Sequence, residues 1–267
     1  MGAIVKSAGR CAGIYKECVK TAFAGALAYR FNFILSLLIT LSFNILFPLV
    51  TILIYNAGAS FPGWGFYEVL LIQSVFTLSQ GLSRMASGGL LWTTMQHVRE
   101  GSFEVVLLKP LGPVFYLFVT NFDPEMVGLI IGGGTLFGIS LAHTGITSAA
   151  AIPGFILLFA AGFAVMTGIN IIMAATSFKW VGNSRLPEIF DSVLSFGKYP
   201  VTIFPNIIRG FATFIIPVGM VGYYPARSLL GKPDIAALVA VIPCLLFMVS
   251  GLLLYRYMVR LYEGVGG

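Results

Sequence analysis

"FNFILSLLITLSFNILFPLVTILIY", residues 31–55, contains no charged side chain. At 1.5 Å per residue, a helix of this length outreaches the roughly 30 Å hydrocarbon core of a bilayer. The rest of the chain has the same character, with 58% hydrophobic and 10% charged residues and a mean hydropathy of +0.93. Soluble domains carry about 25% charged residues, enough to cover a wetted surface, and this chain cannot do so. It is expected to be an all-α, multi-pass membrane protein.

Six spans are expected, near residues 31–55, 67–93, 126–144, 154–177, 186–204 and 235–257, each close to the 20 or so residues a bilayer demands. Before the first, Ile4, Ala8, Cys11, Tyr15, Cys18, Ala22 and Ala26 recur at helical steps, with Lys6, Arg10, Glu17 and Lys20 on other faces. Residues 1–30 therefore form an amphipathic helix suited to the membrane surface, ahead of a six-span domain over 31–267. That start, basic along its length and followed by a run of spanning length, does not match a cleaved signal peptide. Cys11, Cys18 and Cys244 form no paired framework and are expected to be small buried apolar residues.

The formal charge is +6, but its carriers are scattered among spans rather than gathered into a nucleic-acid patch. Residues 1–30 hold five Lys or Arg and segments 94–125, 178–185 and 256–267 hold two each, while loops 56–66 and 145–153 hold none. Because basic residues stay on the cytoplasmic side, both termini and segment 94–122 are expected there. Arg209, Arg227 and Lys232 dissent, lying on the outer side between the last two spans. Their region, 205–232, is apolar yet broken by Pro205, Pro217 and Pro225, and it is expected to dip into the outer leaflet and return as a re-entrant hairpin. In the third span, Gly132, Gly133, Gly134 and Gly138 are expected to let helices approach closely.

The third span is delimited by "NFDPEMVG", in which Asp123 suits a helix cap and Pro124 a first helical position. That leaves about 30 residues on the cytoplasmic side, long for a connection without structure of its own. Within it lies "REGSFEVVLLKP", residues 99–110. Phe103, Val106 and Leu107 can share a helical face, Arg99, Glu100, Glu104 and Lys109 offer ion-pairing groups, and Pro110 and Pro113 turn the chain back. The stretch fits a rigid charged knob under the bilayer, and by periodicity alone equally an interfacial loop touching lipid.

The longer string "REGSFEVVLLKPLGPVFY" resembles the cytoplasmic element of ABC type-2 transporter permeases, with Arg99, Gly101, Glu104, Leu107, Leu108, Lys109, Pro110 and Pro113 matching the recurrent positions. The likeness extends to the interfacial helix, the six spans and the proline-broken outer hairpin. It implies that Arg99, Glu100, Gly101, Phe103, Glu104, Leu107, Leu108, Lys109 and Pro110 form a coupling helix that docks in a groove of a cytoplasmic ATPase. It further implies an exporter of the prokaryotic cell (inner) membrane: two permease subunits, identical or related, above two ATPase subunits, with ATP and magnesium bound by the ATPase. This chain has no phosphate-binding GxxxxGK[ST] loop; its Gly-Lys pairs, at Gly197 and Gly231, continue into Tyr and Pro. It is therefore expected to bind no cofactor and to be no enzyme. His97 and His143 lack partners at ligand spacing, and no G-x-S-x-G elbow occurs.

In the fifth expected span, Asp191, Ser195, Lys198 and Thr202 follow at steps of four, three and four. Ionisable groups are costly in a span, so this polar stripe is the candidate pathway. Alternatively Asp191 and Lys198 snorkel from opposite ends, as Arg84 and Glu68 are expected to anchor the second span. An ion-gradient-driven secondary transporter using Asp191 and Lys198 as coupling groups is the alternative function, although no internal repeat supports it.

Overall fold

A computed structural model describes residues 2–145, 149–180, 185–232 and 235–263, with side chains from residue 11 onward. No strand occurs among them. Helix α1 (Gly2–Ala28) ends at Tyr29, whose non-helical backbone separates it from α2 (Arg30–Asn56). Helix α3 (Phe66–Ser83) passes through a π-helical turn, Arg84–Gly88, into α4 (Gly89–Arg99). This rod is about 50 Å long at 1.5 Å per residue, longer than a bilayer's roughly 30 Å of hydrocarbon. Two short helices, α5 (Phe103–Leu107) and α6 (Pro113–Thr120), lead to α7 (Val127–Thr144), entered through a turn that Asp123 caps by accepting the Glu125 amide at 2.9 Å. Then come α8 (Ala151–Thr176), α9 (Arg185–Ser195), α10 (Asn206–Gly210), α11 (Tyr223–Leu229), α12 (Ile235–Val239) and α13 (Val241–Arg260).

The rod is the core. Val69, Leu71, Ile72 and Val75 are wholly buried, beneath α2, α7, α8 and the α11 region. Surrounded by protein, α3 carries buried polar groups that a lipid-facing helix would not. Gln73 donates to Thr51 on α2 (2.7 Å), and Ser79 donates to the Val221 carbonyl (3.1 Å). Asn170 of α8 donates to Ser87 (2.8 Å), inside the π turn. The bond is made between side chains, so it fastens α8 to the outside of the π turn, a local irregularity of the kind that re-aims a helix.

Three helix contacts depend on small residues. Gly133 of α7 sits where an added Cβ would lie 3.1 Å from Leu78 of α3, and Gly132 faces Leu41 and Asn44 of α2. Gly134 and Gly138 have nothing within 4 Å, so half of the expected glycine cluster packs a helix. Helices α8 and α13 are joined in the same way, where Gly168 and Gly251 meet backbone to backbone. Cys244 is fully buried, whereas Cys11 and Cys18 on α1 are only half-buried, contrary to expectation.

Among the described residues, four helical segments are long and apolar enough to cross a membrane: Arg30–Asn56, Pro124–Thr144, Ala151–Thr176 and Ile235–Arg260. A fifth candidate is a pair, Asn206–Ile215 and Val218–Leu229, bent by 74°. Among the described residues, then, not all of the six spans expected from sequence are unbroken helices of that length and hydropathy. The second is continuous but less apolar than those four, because its polar side chains are partnered within the protein. The fifth is broken: α9 ends at Ser195, a single 3-10 turn covers Phe196–Lys198, Tyr199 is extended, and another short turn covers Val201–Ile203. Gly197 and Pro200 account for the break.

Candidate functional site

The segment after α4 forms a projecting knob. Gly101 takes a positive φ of 67°, which turns the chain from α4 into α5, and His97 Nδ1 lies 2.8 Å from Ser102 Oγ across that turn. Phe103 (0% exposed) and Val106 (1%) face inward. Phe103 packs edge-on against Phe178, just beyond α8, and Tyr262, just beyond α13, at 4.8 and 5.5 Å between ring centres. Phe178 in turn meets Tyr255, whose hydroxyl lies 3.1 Å from Thr94 Oγ1 on α4. One aromatic cluster thereby ties α4, α5, α8 and α13 together.

The other face of the knob is open. Val105 (53% exposed), Leu107 and Leu108 (85%) stand beside exposed Arg99, Glu100, Glu104, Lys109 and Pro110. Glu100 accepts from Gln96 (2.9 Å), and the Lys109 ammonium lies 5.8 Å from the Tyr116 ring centre. Among the described residues, Arg99 and Glu104 make no side-chain hydrogen bond or ion pair. Two expectations change at this point. Phe103 belongs to the anchor rather than to the exposed surface, and Leu107 departs from the face shared by Phe103 and Val106. The knob is also braced from behind, because Tyr15 stacks on Phe118 of α6 (6.1 Å) and Phe23 meets Phe122 (5.8 Å).

A polar cleft of about 530 Å³ opens between α2, α3 and α9. Asp191, Ser195 and Lys198 line it, as do Arg84, Gln73, Gln80 and Asn44. The Arg84 guanidinium pairs with Asp191 at 3.1 Å, both side chains about half exposed. The Lys198 ammonium sits 3.3 Å from the Phe47 ring centre and 5.3 Å from that of Phe76, a cation held by aromatic faces. Gln73 Oε1 is buried without a partner among the described residues. Ser195 donates to its own helix, to the Ser192 carbonyl. Thr202 lies apart: its hydroxyl accepts from the Trp64 indole at 2.9 Å, at the far end of α3. Three of the four stripe residues therefore share the cleft, and Arg84, expected only as an anchor, is the ion-pair partner of Asp191.

From Asp191 to Thr202 the chain runs beside the stretch of α3 between Arg84 and Trp64. It then enters the bent pair, whose tip buries Met220 against Gly162 of α8. The pair begins where Arg209 donates to the Thr202 carbonyl (3.1 Å) and ends where Lys232 pairs with Glu68 (2.8 Å). Both ends thus lie at the Trp64 end of α3, and the dissenting cations Arg209 and Lys232 are accounted for by local partners. Among the described residues no three His, Cys, Asp or Glu side chains gather as metal ligands do. Neutralising the Arg84–Asp191 pair by Asp191→Asn should change unfolding stability by no more than about 1 kcal/mol, as for exposed ion pairs. Detergent-solubilised thermal melts check this.

No curated protein and no solved structure gives a match to the chain. A protein family does, over residues 21–266, and its description is ABC-2 family transporter protein. That match takes in the end of α1, the knob, the cleft and the bent pair, and so the chain belongs to the ABC-2 family of transporter proteins, as a multi-pass membrane component of an ABC transporter.

Proposed function

We propose that this chain is the permease subunit of an ATP-driven exporter, assembled as two six-crossing permeases above two ATPase subunits that bind ATP and magnesium. The observation that carries this reading is the knob at 99–110, with an apolar and charged face left open and a back face locked against α4, α8 and α13. A surface so rigidly mounted transmits force. Closure of two ATPases would press on α5 and, through Phe103, Phe178 and Tyr262, tilt α8 and α13 together.

In this reading the broken segment from α9 to Ile203 is the fifth crossing, and the bent pair is a re-entrant hairpin from the outer side, supported by the return of both its ends to the Trp64 end of α3. Broken backbone is tolerable at membrane depth where protein covers it. The cleft beside Lys198 and Asp191 is then the substrate path, closed on its open side by a second permease. Replacing Lys198 by Gln should cut substrate export at least tenfold while leaving assembly intact, which transport assays on reconstituted vesicles measure.

Sidedness is tested by thiol labelling. In a variant lacking Cys11, Cys18 and Cys244, cysteine at Ser60 should react with an impermeant reagent from outside intact cells. Cysteine at Glu104, which is exposed, should react only after the membrane is opened. Labelling of position 104 from outside would remove both the topology and the coupling role.

A further inference from the structure

A second groove, of about 600 Å³, lies between α6, α8 and α13. Its walls are mostly apolar, among them Val114, Phe118, Ile171, Met248 and Leu252, with the Thr167 hydroxyl as a polar exception, and its rim beside the knob is formed by Leu107 and Pro113. Arg256 and Arg260, one turn apart on α13, also line it, and among the described residues no acidic one does. Both arginines are exposed, and among the described residues neither makes a hydrogen bond or ion pair. From Met248 to Arg260 the groove follows α13 for roughly 18 Å at 1.5 Å per residue, close to the half-thickness of about 15 Å that one leaflet presents.

A charged end and an apolar trough one leaflet deep match a single class of ligand. We propose that this groove holds one acyl chain of an anionic phospholipid, with its phosphate between Arg256 and Arg260. The leaflet is the one at the C-terminal end of α13, cytoplasmic in the topology proposed above, and only that assignment of side rests on that topology. Guanidinium groups suit phosphate oxygens because their fork geometry matches them. The chain would wedge between α6 and α13 behind Leu107, so lipid charge would set how firmly the knob is seated.

Native mass spectrometry of the full chain in detergent, titrated with phosphatidylglycerol or with phosphatidylcholine bearing the same acyl chains, tests this without reference to sidedness. The wild type should retain phosphatidylglycerol with a preference of about ten- to thirtyfold, given the surface attraction of two arginines. The double variant Arg256→Gln with Arg260→Gln should lose that preference and bind the two lipids alike. Leu252→Trp, which fills the trough without altering charge, should weaken retention of both lipids. Equal retention of the two lipids by the wild type, or a preference that survives in the double arginine variant, would overturn the proposal. So would undiminished retention in Leu252→Trp. An equal loss of preference in Lys16→Gln with Lys179→Gln, which removes the same charge elsewhere, would assign the effect to general surface charge and overturn it as well.

Discussion

Replacing Leu108 by Asp is expected to abolish co-purification of the ATPase while the permease itself folds, assembles and enters the membrane normally. Leu108 is 85% exposed in the isolated subunit, so a carboxylate there meets water and costs the fold nothing. In a docked complex the same carboxylate would lie in a dry groove without a partner. An uncompensated buried charge costs about 3–5 kcal/mol, which at 1.4 kcal/mol per factor of ten weakens association by about 10² to 10⁴. Val106→Asp is the counterpart inside the anchor. Val106 is 1% exposed in the cluster around Phe103, so that substitution should destabilise the permease itself. Quantitative pull-down of the ATPase, alongside size-exclusion profiles of both variants, separates the two. An interfacial loop that merely touches lipid predicts unchanged association for Leu108→Asp.

Gly222→Ala is expected to lower the melting temperature of the permease by several degrees. A Cβ at Gly222 would lie 2.7 Å from the Gly197 carbonyl oxygen, 2.9 Å from that of Ile72 and 2.9 Å from Phe76 Cβ. Three elements converge on that point: α3, the broken segment after α9 and the bent pair. None of the contacts is the free end of a flexible side chain, so relief requires backbone movement and strains the neighbouring Ser79–Val221 hydrogen bond. Overpacking of this kind costs about 1–3 kcal/mol, or roughly 2–4 °C of melting temperature per kcal/mol in a chain of this size. Gly134→Ala supplies the contrast. Nothing lies within 4 Å of its added methyl, and alanine's better helix propensity should leave α7 unchanged or slightly more stable. Equal melting temperatures for the two variants would show that the junction at Gly222 is looser than its geometry indicates.

The parts of this architecture that were legible in the sequence are those set by local chemistry. Charge-free runs of sufficient length gave α2, α8 and α13, and the Asp-Pro pair gave the start of the third span, because capping is a matter of neighbouring residues. The knob was legible through its prolines and charges. Its orientation was not, since a five-residue helix turns Phe103 and Val106 inward only because Phe178 and Tyr262, far along the chain, are there to receive them. The polar stripe survived for a similar reason. A helix to Ser195 and a 3-10 turn to Lys198 both bring a residue back to one face every three to four positions. Extended Tyr199 then ends that periodicity and carries Thr202 to Trp64. The π turn at Arg84–Gly88 has no proline to announce it. It is accompanied by a hydrogen bond from Asn170 on another helix, and it sits where Arg84 reaches Asp191. That long-range pairing is why Arg84 was expected only as an anchor.

Photo-crosslinking from position 108 tests the central claim most directly. With a benzophenone side chain in place of Leu108 in the full-length permease, irradiation of native membranes should yield one protein adduct. Its tryptic peptides should include a GxxxxGK[ST] phosphate-binding sequence, and the yield should fall when Glu104→Lys reverses a neighbouring charge of the docking face. Crosslinks to lipid alone, or to proteins without that sequence, would contradict the assignment of residues 99–110 as the ATPase-coupling element.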